Sequence, residues 1–383
     1  MVKRKQNFRQ NLGCIAGLII LGQNQIVSGG GPSRSVQGPI SSIGYRPSEE
    51  LSNGIFGSLM YSADNKTLVA AAGDGTVRLY DAITAREKST FKMESSTEGL
   101  KPSARIWSHL PDSWIFLMNG YSSNDLQLVD ARSGNIHLRL EKLDQAMPLL
   151  QCAAFSSDGR LVAAGYQDTG EVVVWDAITG RRRFKTKAHV IPSHTEPFPR
   201  AVQPIPAPIL ALTFSPDASL LLSSSLGAPL RCWDVAIGAE VAPPIRITNP
   251  GMIAPSPDHK FVVMSERADD GEPSKRKYLL YDMTSWKKLS EWTAGVAVRL
   301  ALLQGGRQLI WMKEGGIIQL RDANSGRVFS ELDVQLRGPS ECMAVSPDSK
   351  RIAVGGFNDH PVFGAIQLIE IDKTTLRLWK HQP

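Results

Sequence analysis

An all-β fold of seven four-stranded antiparallel blades, a seven-bladed β-propeller, is what the sequence predicts, and three observations lead there. First, a strand-like run ending in aspartate recurs seven times, at Asp81, Asp130, Asp176, Asp234, Asp282, Asp322 and Asp372, with spacings between 40 and 58 residues. Second, each unit carries an earlier turn: SADNK (62–66), LPDSW (110–114), SSDGR (156–160), SPDAS (215–219), SPDHK (256–260), QGGRQ (304–308) and SPDSK (346–350). Third, four short runs surround the two turns of a unit, seen in the third as CAAF, LVAAG, EVVVW and RRRFKT. Self-similarity at this period fixes architecture before any residue can speak about chemistry.

The first turn of each unit is written in turn residues. Pro at the second position presets φ for a type I bend, and Asp or Gly follows. In the second turn, DAITG (176–180), DARSG (130–134) and DANSG (322–326), the Asp carboxylate can accept from backbone N–H groups two residues on. The Gly then takes positive φ. The middle runs are apolar on both faces, as strands packed between neighbouring sheets require, and only the fourth run is polar. One four-stranded sheet cannot bury both faces, whereas seven arranged radially can. The propeller is expected over 53–383, after a leader at 1–30 and a linker at 31–52. Within that stretch residues 35–46 can add an edge strand. TLRLWKH (375–381) supplies a fourth strand to the last unit without help.

The leader accounts for most of the net charge of +6, because Lys3, Arg4, Lys5 and Arg9 stand there and no acidic residue precedes Glu49. An apolar run LGCIAGLIILG (12–22) and small residues at 28–31 come next, in the order of a secretory signal. Export is therefore expected, the alternatives being an anchoring tail or a cytoplasmic leader. The run is short of the roughly 20 residues a spanning helix needs, so no span is expected in the mature chain. Cys14 precedes the apolar run, which excludes a lipobox. Cys152, Cys232 and Cys342 lie apart and inside apolar runs, against a zinc or disulfide framework and for buried thiols.

FSPD (214–217), followed by strands ending in Trp175-Asp176 and Trp233-Asp234, resembles the WD-repeat family over roughly 56–380. The family pattern has a Gly-His pair ahead of the innermost strand, joined through Ser or Thr and Trp to a turn Asp. This chain offers only Lys187-Ala188-His189 there, and Tyr80, Val129, Tyr281, Arg321 and Ile371 stand in the Trp place. The resemblance is therefore to divergent, bacterial-type WD-like and quinoprotein-like propellers, and it implies a protein or peptide partner.

Long segments fall on one face: 93–102, 187–208, 266–277 and 357–364. Loops clustered on one side of a rigid scaffold point to binding there. Aligning the first strands puts Gly57, Arg105, Gln151, Leu210, Gly251, Arg299 and Glu341 at one position. If it lines the channel mouth, Arg105, Gln151, Arg299 and Glu341 can grip an anionic group of a ligand or partner; otherwise Arg and Glu pair with each other. His189, His194, Asp269, Asp270, Asn358, Asp359 and His360 are expected as loop-face contacts. His189 and His194 in a Pro-rich loop fix no metal geometry, and Asp269, Asp270 and Glu272 read as a solvated hairpin tip.

No Gly-x-Ser-x-Gly elbow and no phosphate loop is present. Basic residues such as RRRFKTK (181–187) fall on expected outer strands, against nucleic acid. The expectation is a monomeric, non-catalytic interaction scaffold without a cofactor. The alternative is a propeller hydrolase or quinone-dependent dehydrogenase with its site at the channel mouth.

Overall fold

The computed structural model describes residues 42–44, 56–72, 74–93, 104–110, 113–119, 126–143, 149–186, 189–191, 205–225, 227–267, 272, 274–334, 337–357 and 364–378. They form seven antiparallel blades, each with four strands in chain order, and one two-stranded sheet in a link between blades. Blade three shows the plan: Leu150–Phe155, Leu161–Tyr166, Val172–Asp176 and Arg182–Lys185. The other blades occupy 56–92, 105–139, 209–241, 250–295, 299–333 and 337–378.

Burial follows from position in the blade. Thr67–Ala72 and Leu161–Tyr166, both second strands, are buried at every residue, which explains their lack of polar alternation. Fourth strands such as Glu87–Lys92 are largely exposed. Their charges are matched locally in blade three, where Arg182 pairs with Glu141, Arg183 with Asp176 and Lys185 with Glu171. The core is split into seven clusters, each drawing on two adjacent blades. Val69, Phe116 and Val129 join blades one and two, and Leu59, Tyr61 and Ile366 join blades seven and one. Every sheet is thus buried by its neighbours, and the ring is closed.

The turns hold as their chemistry dictates. In five blades a buried Ser at the head of the first turn donates to the Asp two residues on at 2.5–2.6 Å. Its oxygen accepts from the N–H five residues on. In the second turn of blade three Asp176 Oδ1 accepts from the N–H groups of Ile178 and Thr179 at 3.1 and 2.9 Å. The bond from Thr179 N–H leads in holding the Asp176 carboxyl below its ordinary range. Gly180 closes the turn at φ 72°, and a Cβ there would stand 2.6 Å from the Arg139 carbonyl oxygen of blade two. Asp176→Ala should therefore lower stability by about 1 kcal/mol, read by urea denaturation, since two turn N–H groups return to water.

These tight turns open on one face. The links between second and third strands, and between blades, open on the other. On that loop face blade five extends through Phe261–Arg267, Lys275–Asp282 and Lys288–Gly295. In the link before blade four, Val190–Ile191 pairs with Ile205–Pro206. Blade seven has an extra strand: Ser42–Gly44 and Thr375–Leu378 both pair with Gly364–Asp372, at opposite ends of it. No helix among the described residues is long and apolar enough to cross a membrane.

Candidate functional site

First strands line the channel and begin at the loop face. Arg105 opens Arg105–His109, Arg299 opens Arg299–Leu302, and Gln151 is second in Leu150–Phe155. The single aligned position expected for these residues is resolved by β-bulges into two. In blade three the register steps from Leu150↔Tyr166 to Cys152↔Gly165, so Gln151 is the unpaired bulge residue. In blade two the bulge falls at Trp107, leaving Arg105 paired with Asn119. Blade six has no bulge, and Arg299 pairs with Met312. A bulge displaces everything beyond it by one residue. Counted inward from the first turn, Arg105 and Arg299 therefore share a layer with Cys152 and Cys342, with Gln151 one step nearer the mouth.

That layer is electrostatically coupled. Burial pushes the Cys342 thiol up to about 12, while Arg299 and, more weakly, Arg105 oppose the shift. Burial likewise pushes Cys152 up to about 12, again against Arg105. Both arginines therefore lie within electrostatic reach of the blade-seven thiol, and the thiols stay protonated and un-nucleophilic. The Arg105 guanidinium sits 4.1 Å over the Trp107 ring, and Trp107 Nε1 donates to Asn119 Oδ1 at 2.7 Å, which stiffens the platform. Arg299 Nη1 donates to the Val298 carbonyl at 3.0 Å. Two guanidiniums in a layer with Ser58, Ala211 and the two thiols, below Gln151, are suited to an incoming carboxylate.

His189 does not lie on the loop surface; it is fully buried. Its Nδ1 is 2.8 Å from Ser225 Oγ and its Nε2 is 2.8 Å from Ser223 Oγ. Trp233 Nε1 donates to the same Ser223 oxygen at 2.9 Å. This His-Ser-Trp chain is similar to the linkage that the WD-repeat resemblance implies, with Ser225 standing where that pattern has an Asp. Burial holds the imidazole neutral, its pKa lowered to about 3. His194, Asp269, Asp270, Asn358, Asp359, His360 and the Glu341 side chain lie outside the described residues, so their contacts are not placed. Among the described residues no three His, Cys, Asp or Glu come together as metal ligands.

Residues 52–81 match the model of the WD domain, G-beta repeat. Over 332 residues the chain is 22% identical to the Periodic tryptophan protein 2 homolog of Dictyostelium discoideum, covering 85% of this chain and 31% of that protein. It is 24% identical over 208 residues to the mouse protein of the same name, covering 54% and 18%. The match to the one in Schizosaccharomyces pombe is 27% over 115 residues, covering 30% and 12%. The chain thus spans less than a third of the length of these curated relatives. They are eukaryotic, so the bacterial-type and quinoprotein-like refinements of the resemblance gain no support from them.

Proposed function

We propose that this propeller is a non-catalytic interaction module whose loop-rich face holds a protein or peptide partner. Arg105 and Arg299 at the channel mouth anchor an acidic side chain of that partner. The observation that carries the reading is the placement of these two arginines in one layer of the first strands, at the loop-face end. The WD-repeat match and the likeness to Periodic tryptophan protein 2 homologs support a partner-binding role at a coarse level. A hydrolase or dehydrogenase would need carboxylates or histidines converging on the mouth. Its described polar side chains are instead arginines, a glutamine, Ser58 and protonated thiols. The compartment proposed with this reading is extracytoplasmic, and N-terminal sequencing of the protein from its host checks it: retention of Met1 in a cytosolic fraction would defeat it.

Affinity capture with the full chain as bait tests the function. Arg105→Gln/Arg299→Gln should lose the partners that the parent retains, by at least about tenfold in recovery. Equal recovery would sink the anchor role. A companion variant shortening the link must cut within 192–204 and leave a turn of at least about two residues, because His189 belongs to the core and the flanking residues Val190–Ile191 and Ile205–Pro206 are paired.

A further inference from the structure

The loop-face end of blade five sets two like charges against each other. Arg267 ends the second strand and Arg276 lies directly opposite it on the third. Residues opposite one another in an antiparallel pair share a face of the sheet with Cβ atoms about 5 Å apart, and like charges so placed repel. Arg276 is also half-buried, and desolvation holds its guanidinium below its ordinary pKa, with Arg267 adding to that effect. Among the described residues neither guanidinium has a carboxylate partner. The described acids nearby are engaged elsewhere: Glu272 pairs with Lys275 at 2.9 Å, and Glu266 accepts from Thr248 N and Oγ1.

The floor below the pair is rigid. On the same face Tyr278, two residues from Arg276, stacks on Trp292 with ring centroids 4.6 Å apart. Its hydroxyl donates to the Gly295 carbonyl and accepts from Ala297 N–H. Those residues begin the link to blade six. It runs from Ala294, opposite Arg276, to Arg299 at the channel mouth. Five residues of extended chain span at most about 17 Å, so the two cationic positions bracket a short track along the junction of blades five and six.

We infer that Arg267 and Arg276 form a clamp for an acidic peptide segment, lying extended along this junction toward Arg299. One carboxylate settles between the two guanidiniums and relieves their repulsion. A second acid about five residues away reaches Arg299. This rests on the loop-face reading above and names the chemistry of its partner. A peptide is favoured over an isolated anion because cations stand at both ends of the track.

Fluorescence anisotropy with labelled hepta-glutamate, and hepta-glutamine as control, tests the inference on the full chain at low salt, where such contacts are least screened. The parent should bind the acidic peptide alone, and Arg267→Gln/Arg276→Gln should weaken it at least tenfold. That variant should melt no lower than the parent, since it loses a like-charge pair, so weaker binding would not reflect misfolding. The clamp is refuted if the parent fails to bind or if the double variant binds unchanged. Loss on Arg299→Gln beside an unchanged double variant refutes the clamp and leaves the channel-mouth anchor standing. The reverse result supports the clamp and refutes its extension to Arg299. Displacement of the peptide by inorganic phosphate at matched concentration would assign a small-anion site instead. Binding seen only in Asp269→Asn/Asp270→Asn would make the hairpin tip the arginines' own partner and overturn the proposal.

Discussion

Ser223→Ala lowers the stability of the propeller by about 3 kcal/mol, read as the urea midpoint multiplied by the denaturant slope. Ser223 is fully buried in the second strand of blade four, and its hydroxyl serves two neighbours at once. It accepts the Trp233 indole N–H at 2.9 Å and lies 2.8 Å from His189 Nε2. Alanine removes both contacts and fills the place with a methyl group. Each buried polar atom left without a partner costs about 1–3 kcal/mol. Ser223→Thr keeps the hydroxyl and should recover most of the loss. A drop below about 1 kcal/mol in the alanine variant would mean that the two rings find other partners, and the linkage would not be what secures the link before blade four.

Acidification gives the second large effect. His189 has a folded pKa of about 3, against about 6.5 in an unfolded chain. Between those values the unfolded chain holds a proton that the native ring excludes. The stability from the neutral ring is therefore complete above pH 6.5 and is lost as pH falls toward 3. One such proton is worth about 1.4 kcal/mol per pH unit, so about 3 kcal/mol disappears between pH 7 and pH 4. His259, lowered by burial in the first turn of blade five, acts in the same direction. Urea denaturation at several pH values should show this slope, and His189→Gln should flatten it by about one proton. An unchanged slope in the variant would assign the acid sensitivity to other groups.

The fold was legible because its determinants are local. The turn aspartates, the Ser-Pro-Asp starts and the apolar second and third runs each state a strand or a bend within a few residues. The site was legible only in part, because its geometry depends on pairing. Arg105 and Arg299 were found as polar openings of apolar strands, yet their common layer with Cys152 and Cys342 depends on where each bulge falls, at Gln151 or at Trp107. His189 was placed on the surface because Pro-rich links are usually solvated. The usable signal was its partners, three consecutive serines at 223–225 and Trp233, far along the chain. Arg267 and Arg276 flank the segment whose acids read as a solvated hairpin tip, and only the register shows them facing each other.

The outer edge of blade seven is written in two pieces. Leu378 pairs with Ile369 and Ser42 with Gln367, so the two segments run in the same direction and meet two residues apart along one partner strand. The disc therefore has a seam rather than a gap. A covalent join across that seam would make an endless chain with no first blade. Any link between blades other than the one from five to six could then serve as the opening, and a permuted protein cut there would keep both the seven shared cores and the cationic track.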